Sequence, residues 1–402
     1  MTPSNIAPVM GAERDVAIVG VYATKQGRNL GRTSLSLTME AFHGGLADAG
    51  LTVADVDGWF NFDFPAGNLQ GPTIGNVAFQ LGHPMTVVGA YSGVPALLYA
   101  SAAIRDGLAD VIVIPFGGAQ EATDGSTVAY TRPGFEFTEW TGSTTPAQMA
   151  LQMSRHMAEF GTTREQLGYA AAVLRNNAHL NPDAVMFDRG PYTVDDILTS
   201  RMVADPFTLL MCALVNDGGS CVVVASADRA KDCRHPPVWM LAGGIECNYT
   251  SYYEPPTLAP LTSRARMLRA FTRAGLTHDD IDFVTTYDHF ASGVIMEYEA
   301  AGFCEVGEGG PFTTENIGLD DRFPVSPDGG CIGYSHNINP YNFRIIEAVK
   351  QFRNYVPDRC PNWQQGEHTY DRTLCRKIRD PRIAVACGPM TGTFSMALLA
   401  KD

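Results

Sequence analysis

Short apolar runs that end in glycine alternate along this chain with stretches whose apolar residues recur at helical spacing. Val16-Ala-Ile-Val-Gly20 has the first character, that of a buried strand. Leu35, Met39, Phe42 and Leu46 have the second, at spacings of four, three and four, and Thr33 or Ser34 can cap their first turn. Gly50 suits the left-handed turn that ends such a helix, and Asp57-Gly-Trp-Phe60 follows as a strand. Thr86–Ala90 then predicts a strand, Tyr91-Ser92-Gly93 a glycine turn, Val94–Leu108 an alanine-rich helix and Asp110–Pro115 another buried strand. A strand, turn, helix and strand in this order form a βαβ unit, and such sheets hold ligands at the carboxyl ends of their strands.

From Gly117 to about Pro206 the composition shifts to Thr, Gly, Pro, Asn and aromatic residues, with helical spacing over Ala147–Phe160 and Arg164–His179. This stretch reads as an insertion covering the sheet. Asn216–Ala225 returns to strand character, and Lys231–Pro237 is a polar linker. Beyond it the pattern predicts a strand (Val238–Ala242), helix (Ser263–Ala274), strand (Phe283–Tyr287), helices at Ser292–Ala300 and Tyr341–Asn354, and paired strands at Arg382–Cys387 and Phe394–Ala400. Ala49-Gly-Leu-Thr-Val-Ala-Asp-Val-Asp57 recurs as Ala274-Gly-Leu-Thr-His-Asp-Asp-Ile-Asp282. Repeat arrays need three or more copies at periods of roughly 20–50 residues, so two widely separated copies indicate duplicated halves instead, 1–230 and 231–402. Matching loops of two such halves can converge on one site.

Composition narrows the partners. The 402 residues are 45% hydrophobic and 18% charged, the balance of a folded globule with a large core. A net charge of −14 offers no attraction to a nucleic-acid backbone. No apolar run approaches the roughly 18 residues of a membrane span, and Met1–Glu13 lacks the features of a signal peptide, which points to the cytoplasm. The nine cysteines are irregularly spaced, as in a reducing compartment. Cys233-x-His235 and the set Cys360, His368 and Cys375 have no accompanying CxxC, so no metal is expected.

Several segments in order, namely Val16–Gly20 with Ala47–Gly58, Phe160-Gly-Thr-Thr-Arg-Glu-Gln-Leu167, Asn176-Asn-Ala-His-Leu-Asn-Pro-Asp-Ala184, Ala204-Asp-Pro-Phe207 and Asn216-Asp-Gly-Gly219, make the chain resemble the thiolase superfamily in its lipid-transfer-protein branch. The resemblance implies an α/β protein of duplicated α/β/α layers with two pseudo-symmetric halves, and a homodimer. A thiolase needs a cysteine on the first-half glycine turn, where a helix N-terminus stabilises the thiolate. Here Ala90 or Tyr91 occupies that place, and Ser92 has no evident activating base. The family's His-Asp-x-Phe is similar to Tyr287-Asp288-His289-Phe290, with a phenol in place of the imidazole. Its Gly-Gly-x-x-x-x-Gly-His-Pro is similar to Gly329–Asn337, which keeps His336 and loses the proline. The C-terminal cysteine loop matches Cys387-Gly388 only with a one-residue gap.

Without a nucleophile no acyl-enzyme can form, yet donors aimed at a thioester carbonyl would still stabilise an enolate. That combination points to retro-aldol cleavage of a β-hydroxyacyl-CoA. The pattern resembles thiolase-like steroid side-chain aldolases, which release propionyl-CoA or acetyl-CoA from a 17-hydroxysteroid acyl-CoA with a small zinc-ribbon and OB-fold companion, a heterotetramer in all. The resemblance implies Tyr287 as base, His336 or Tyr334 as acid and oxyanion donor, and Ala90, Tyr91, Ser92, Gly330 and Gly388 along the substrate site. No cofactor is implied, because CoA belongs to the substrate. His289 reads as a supporting or packing residue, while Tyr249, Tyr252 and Tyr253 are further cleft candidates. Arg266, Arg269 and Arg273 share a helical face, either for the CoA phosphates or as a solvated surface. Two other readings stand beside this one: a degenerate thiolase or acyltransferase using Cys387, and a non-catalytic acyl-CoA or lipid-binding subunit.

Overall fold

In the computed structural model, residues 14–61, 81–119, 144–247, 263–337, 340–354, 378, 380–388 and 393–402 are described. Its strands are β1 (Val16–Ala23), β2 (Gly58–Phe60), β3 (Val87–Gly89), β4 (Val111–Gly118), β5 (Met202–Ala204), β6 (Phe207–Thr208), β7 (Gly218–Ser226), β8 (Val238–Cys247), β9 (Phe283–Thr285), β10 (Ile383–Cys387) and β11 (Thr393–Ala400). Nine of them form one sheet in the order β3-β2-β4-β7-β1-β8-β11-β10-β9. The sheet is mixed, not purely parallel. β2 runs parallel to β3 and β4, whereas β7 is antiparallel to both β4 and β1.

From the centre outward the order is the same on both sides. β1, β7, β4 and β2 lie to one side, and β8, β11, β10 and β9 to the other, with the same parallel and antiparallel senses. The seam between them is narrow, with only Ala17 opposite Trp239 and Ile18 opposite Val238. The repeated segment has a mechanical role in each half. Gly50 and Gly275 end their helices at φ 76° and 66°, conformations that suit glycine. Thr52 with Asp55, and Thr277 with Asp280, then form capping boxes on short 3-10 turns. The last residue of each copy starts the neighbouring strand. One oxygen of Asp57 accepts the N–H groups of Asp110 and Val111 at 2.8 and 2.9 Å, and one of Asp282 accepts those of Arg382 and Ile383 at 2.7 and 2.9 Å.

The main helices are α1 (Ser34–Ala49), α2 (Gly93–Arg105), α3 (Thr145–Phe160), α4 (Arg164–His179), α5 (Arg264–Ala274), α6 (Ala291–Ala301) and α7 (Tyr341–Phe352). Thr33 caps α1 by accepting the N–H of Ser36 at 3.1 Å. Helices α2 and α7 pack together in a core with Val94, Leu97, Ile114, Val222, Phe283 and Phe343. α1 covers the first half through Phe42, which meets Trp59 at 5.1 Å between ring centres. The covering segment belongs with the other half: Met153 of α3 and Leu167 and Leu174 of α4 share a core with Val284 and Ile295. Sequence periodicity found these two helices but carried no information about which half they cover. Among the described residues no helix is long and apolar enough to cross a membrane.

Candidate active site

β9 ends at Thr285, two residues earlier than its apolar pattern predicts, so Tyr287 stands on the loop leading into α6. Its backbone N–H donates to Glu297 Oε2 at 2.9 Å. The ring stacks on His289 at 4.6 Å and 18°, and meets Tyr341 edge-on at 4.9 Å. Its phenol oxygen lies 3.4 Å from His336 Nε2. Two motifs separated by a long stretch of sequence thus meet at one phenol–imidazole pair. His336 is held in turn by Asn216, whose Oδ1 accepts its backbone N–H at 2.8 Å and whose Nδ2 donates to Ser335 Oγ at 2.9 Å. Ser335 continues the chain to Gln26 Oε1 at 2.8 Å. Burial, reinforced by the positive charge of Arg344, pushes the His336 pKa down to about 4. Its imidazole is therefore neutral near pH 7, able to accept a proton at one nitrogen and donate from the other.

Beneath this pair lies an ionic floor. Arg344, fully buried on α7, donates to Thr286 O at 2.7 Å and Asp288 Oδ1 at 3.1 Å, and its second nitrogen lies 3.5 Å from Asp328. Asp288 also accepts the N–H of Ile332 at 3.0 Å. Desolvation raises the Asp288 pKa to about 6, against the pull of Arg344 and the backbone donors. Gly330, φ 63°, sits against this carboxyl, and a Cβ there would fall 2.3 Å from Asp288 Oδ2. Its place in the structure is a close backbone approach to Asp288.

The first-half turn is docked onto the second half. Gly93 N–H donates to Asn342 Oδ1 at 2.9 Å, Asn342 Nδ2 donates to Ile114 O at 2.7 Å, and a Cβ on Gly93 would lie 2.3 Å from Tyr341 Cβ. Tyr341 therefore touches both this turn and Tyr287. Ala90 is exposed, Tyr91 stacks on Tyr99 at 4.5 Å, and Ser92 is buried as the residue preceding α2. Gly388 donates to Ser395 O at 2.8 Å and comes near Val94 at the start of α2. Cys387 is fully buried, and desolvation together with the nearby Glu297 carboxyl pushes its thiol pKa well up. A thiol so placed is a poor nucleophile.

Tyr334 takes a different position from His336. Its ring packs edge-on to Phe343 at 5.1 Å in the core around α2 and α7, and it lines a separate cleft of about 910 Å³ with Gln26, Pro182, Lys350 and Arg353. Arg266 pairs with Glu246 at 3.1 Å, and Arg269 and Arg273 are exposed with it, a solvated face. His235 pairs with Asp48 at 3.1 Å, and Cys233 donates to Arg229 O at 3.4 Å. Tyr249, Tyr252, Tyr253, Cys360, His368 and Cys375 lie outside the described residues. Among the described residues no group of three or more His, Cys, Asp or Glu could hold a metal. Sequence reasoning missed Tyr341, Asn216, Glu297 and Arg344. Two of them had a sequence signal: Asn216 opens the Asn216-Asp-Gly-Gly219 segment, and Tyr341 opens α7 as Gly93 opens the matching helix of the first half.

A duplicated α/β scaffold with its site between the loops of both halves defines a class, and the comparisons name it: the chain belongs to the thiolase superfamily. Residues 245–366 match the family described as Thiolase C-terminal domain-like. The chain is 32% identical over 372 residues to a steroid side-chain-cleaving aldolase of Thermomonospora curvata, spanning 84% of this chain and 90% of the relative. It is 32% identical over 363 residues to 17-hydroxy-3-oxo-4-pregnene-20-carboxyl-CoA lyase of Mycobacterium tuberculosis, spanning 84% and 91%. An acetyl-CoA acetyltransferase of Methanothermobacter thermautotrophicus is also 32% identical, over 353 residues covering 85% and 91%. The solved structure of an Ltp2-ChsH2(DUF35) aldolase superposes with a TM-score of 0.80 at 28% identity, covering 97% of this chain and 99% of that one. Within the superfamily this chain falls in the sterol-carrier, lipid-transfer branch and is a carbon–carbon lyase of thiolase-like fold.

Proposed function

We propose that the protein is a retro-aldolase that cleaves the side chain of a 17-hydroxysteroid acyl-CoA, releasing propionyl-CoA or acetyl-CoA and a ketosteroid. Tyr287 takes the proton of the β-hydroxyl while its own phenolic proton passes to His336 Nε2, 3.4 Å away. The resulting alkoxide collapses to the ketone as the bond between the α and β carbons breaks, and the electron pair passes into the thioester enolate. The imidazolium so formed stabilises the enolate oxygen and then gives its proton to the α carbon, which releases the short acyl-CoA and restores the neutral imidazole. The observation that carries this reading is the 3.4 Å approach of the Tyr287 phenol to His336 Nε2, in a site whose first-half turn offers no thiol. The relatives named as steroid aldolase and carboxyl-CoA lyase support the substrate class. His336 meets Tyr287 whereas Tyr334 packs in the core, and a neutral imidazole can accept the phenolic proton and later return it to the α carbon, which favours His336 over Tyr334. No acyl-enzyme takes part, a reading supported by the burial and raised pKa of Cys387.

A homodimer is part of the proposal. Among the described residues β3 is the outer strand of its side of the sheet, and Val88, Tyr91 and Tyr99 at or near it are 51%, 44% and 40% exposed, an apolar edge of the kind that proteins cover. A small zinc-ribbon and OB-fold companion is proposed from the two-component aldolase among the structural neighbours. Mass spectrometry of products from a panel of β-hydroxyacyl-CoA thioesters, with and without such a companion, tests the function. Tyr287→Phe is expected to lose at least 100-fold in kcat, the scale of general acid–base catalysis. Full turnover by Tyr287→Phe on a substrate that the native enzyme cleaves would refute the assignment.

A further inference from the structure

We infer that Glu297 is a positioning residue for Tyr287: its buried carboxyl anchors the backbone N–H of that loop residue and so fixes the phenol against His336. This rests on the reading of Tyr287 as the base. Glu297 faces inward from α6, fully buried, and its Oε2 lies 2.9 Å from Tyr287 N. A glutamate in such a place needs a reason, because burying a carboxyl is unfavourable unless hydrogen bonds or an opposite charge compensate it. Desolvation, with Asp288 adding to it, holds the carboxyl well above its usual range and so favours its neutral form. The Cys387 thiol lies against the same carboxyl. The position that the family resemblance linked to a reactive cysteine thus supports the acid behind Tyr287.

The loop gives this anchor its leverage. Tyr287 lies beyond the end of β9, and the hydrogen bond to Glu297 holds its backbone at the point where the ring must be aimed. Misplacing a catalytic group by about 1 Å can cost on the order of 100-fold in rate.

The test compares Glu297→Gln, which keeps an acceptor oxygen, with Glu297→Met, which removes it. Turnover is measured on the intact enzyme, and exchange of the Tyr287 amide is followed by NMR after selective labelling of tyrosine nitrogen. Glu297→Met is expected to speed amide exchange at least 10-fold and to lower kcat by about 10- to 100-fold with KM changed less than about 3-fold. Glu297→Gln is expected to stay within about 3-fold of the native protein in all three. If Glu297→Met keeps native exchange or native kcat, the anchor is refuted. If folded Glu297→Gln falls more than about 10-fold below the native enzyme in kcat, the acceptor role is wrong, and this outcome is read against the native enzyme alone, so it stands even if the methionine variant does not fold. Failure of the functional reading looks different: Tyr287→Phe would keep full turnover while the amide of Glu297→Met still exchanged faster.

Discussion

Replacing Gly330 with alanine isolates the contact that supports the site from below. The residue has φ 63°, and an added Cβ would lie 2.3 and 2.4 Å from the two oxygens of Asp288. That carboxyl cannot swing away freely, because Arg344 Nη1 holds it at 3.1 Å and Ile332 N at 3.0 Å, with all three groups buried. Alanine in the left-handed region costs roughly 1–2 kcal/mol. Weakening one or both charge-assisted hydrogen bonds adds roughly 1.5–3 kcal/mol. The total of about 3–5 kcal/mol is a large part of the 5–15 kcal/mol that typically holds a domain together. At about 2 °C per kcal/mol for a large chain, Tm should fall by about 6–10 °C in calorimetry. Gly107→Ala is the control. Gly107 has φ 74° with nothing within 4 Å of its added Cβ, so only the backbone cost applies and Tm should fall by about 2–4 °C. Equal losses from the two variants would show that the Asp288 contact contributes nothing.

Two further predictions concern ionisation. The folded pKa of His336, about 4, lies below the value of 6.5 in the unfolded chain, so the unfolded state takes up the proton first as pH falls. Stability is lost between those two values, by about 2–3 kcal/mol at pH 4.5, and His336→Asn should show a correspondingly shallower loss in urea titrations; parallel losses in both proteins would contradict the lowered pKa of the imidazole. Cys387 should resist iodoacetamide in the native protein while the partly exposed Cys233 reacts, as read by peptide mass spectrometry. Rapid native alkylation of Cys387 would reopen the thiolase reading.

Much of the scaffold was legible because it depends on local patterning. The helix ends at Gly50 and Gly275 and the capping threonines follow from a few consecutive residues, and the periodic apolar positions marked most strands and helices within a few residues. The site was legible only where a motif carried it, as with Tyr287 and His336. Glu297 lay unnoticed inside an apolar helix, and Arg344 read as one charge among many, since nothing local distinguishes a buried ion pair from a solvated one. Tyr334 and His336 are two residues apart and could not be separated by sequence, although one packs in the core and the other meets Tyr287.

The sequence alone determined the duplication and the absence of a cysteine from the first-half turn, because these are properties of order and composition. Tertiary structure decided which side chains lie together. Loops from both halves converge where α2 meets α7, the covering helices pack onto the second half, and burial makes His336 neutral and withdraws Cys387. Proximity and desolvation arise from contacts between distant segments, so no local pattern records them.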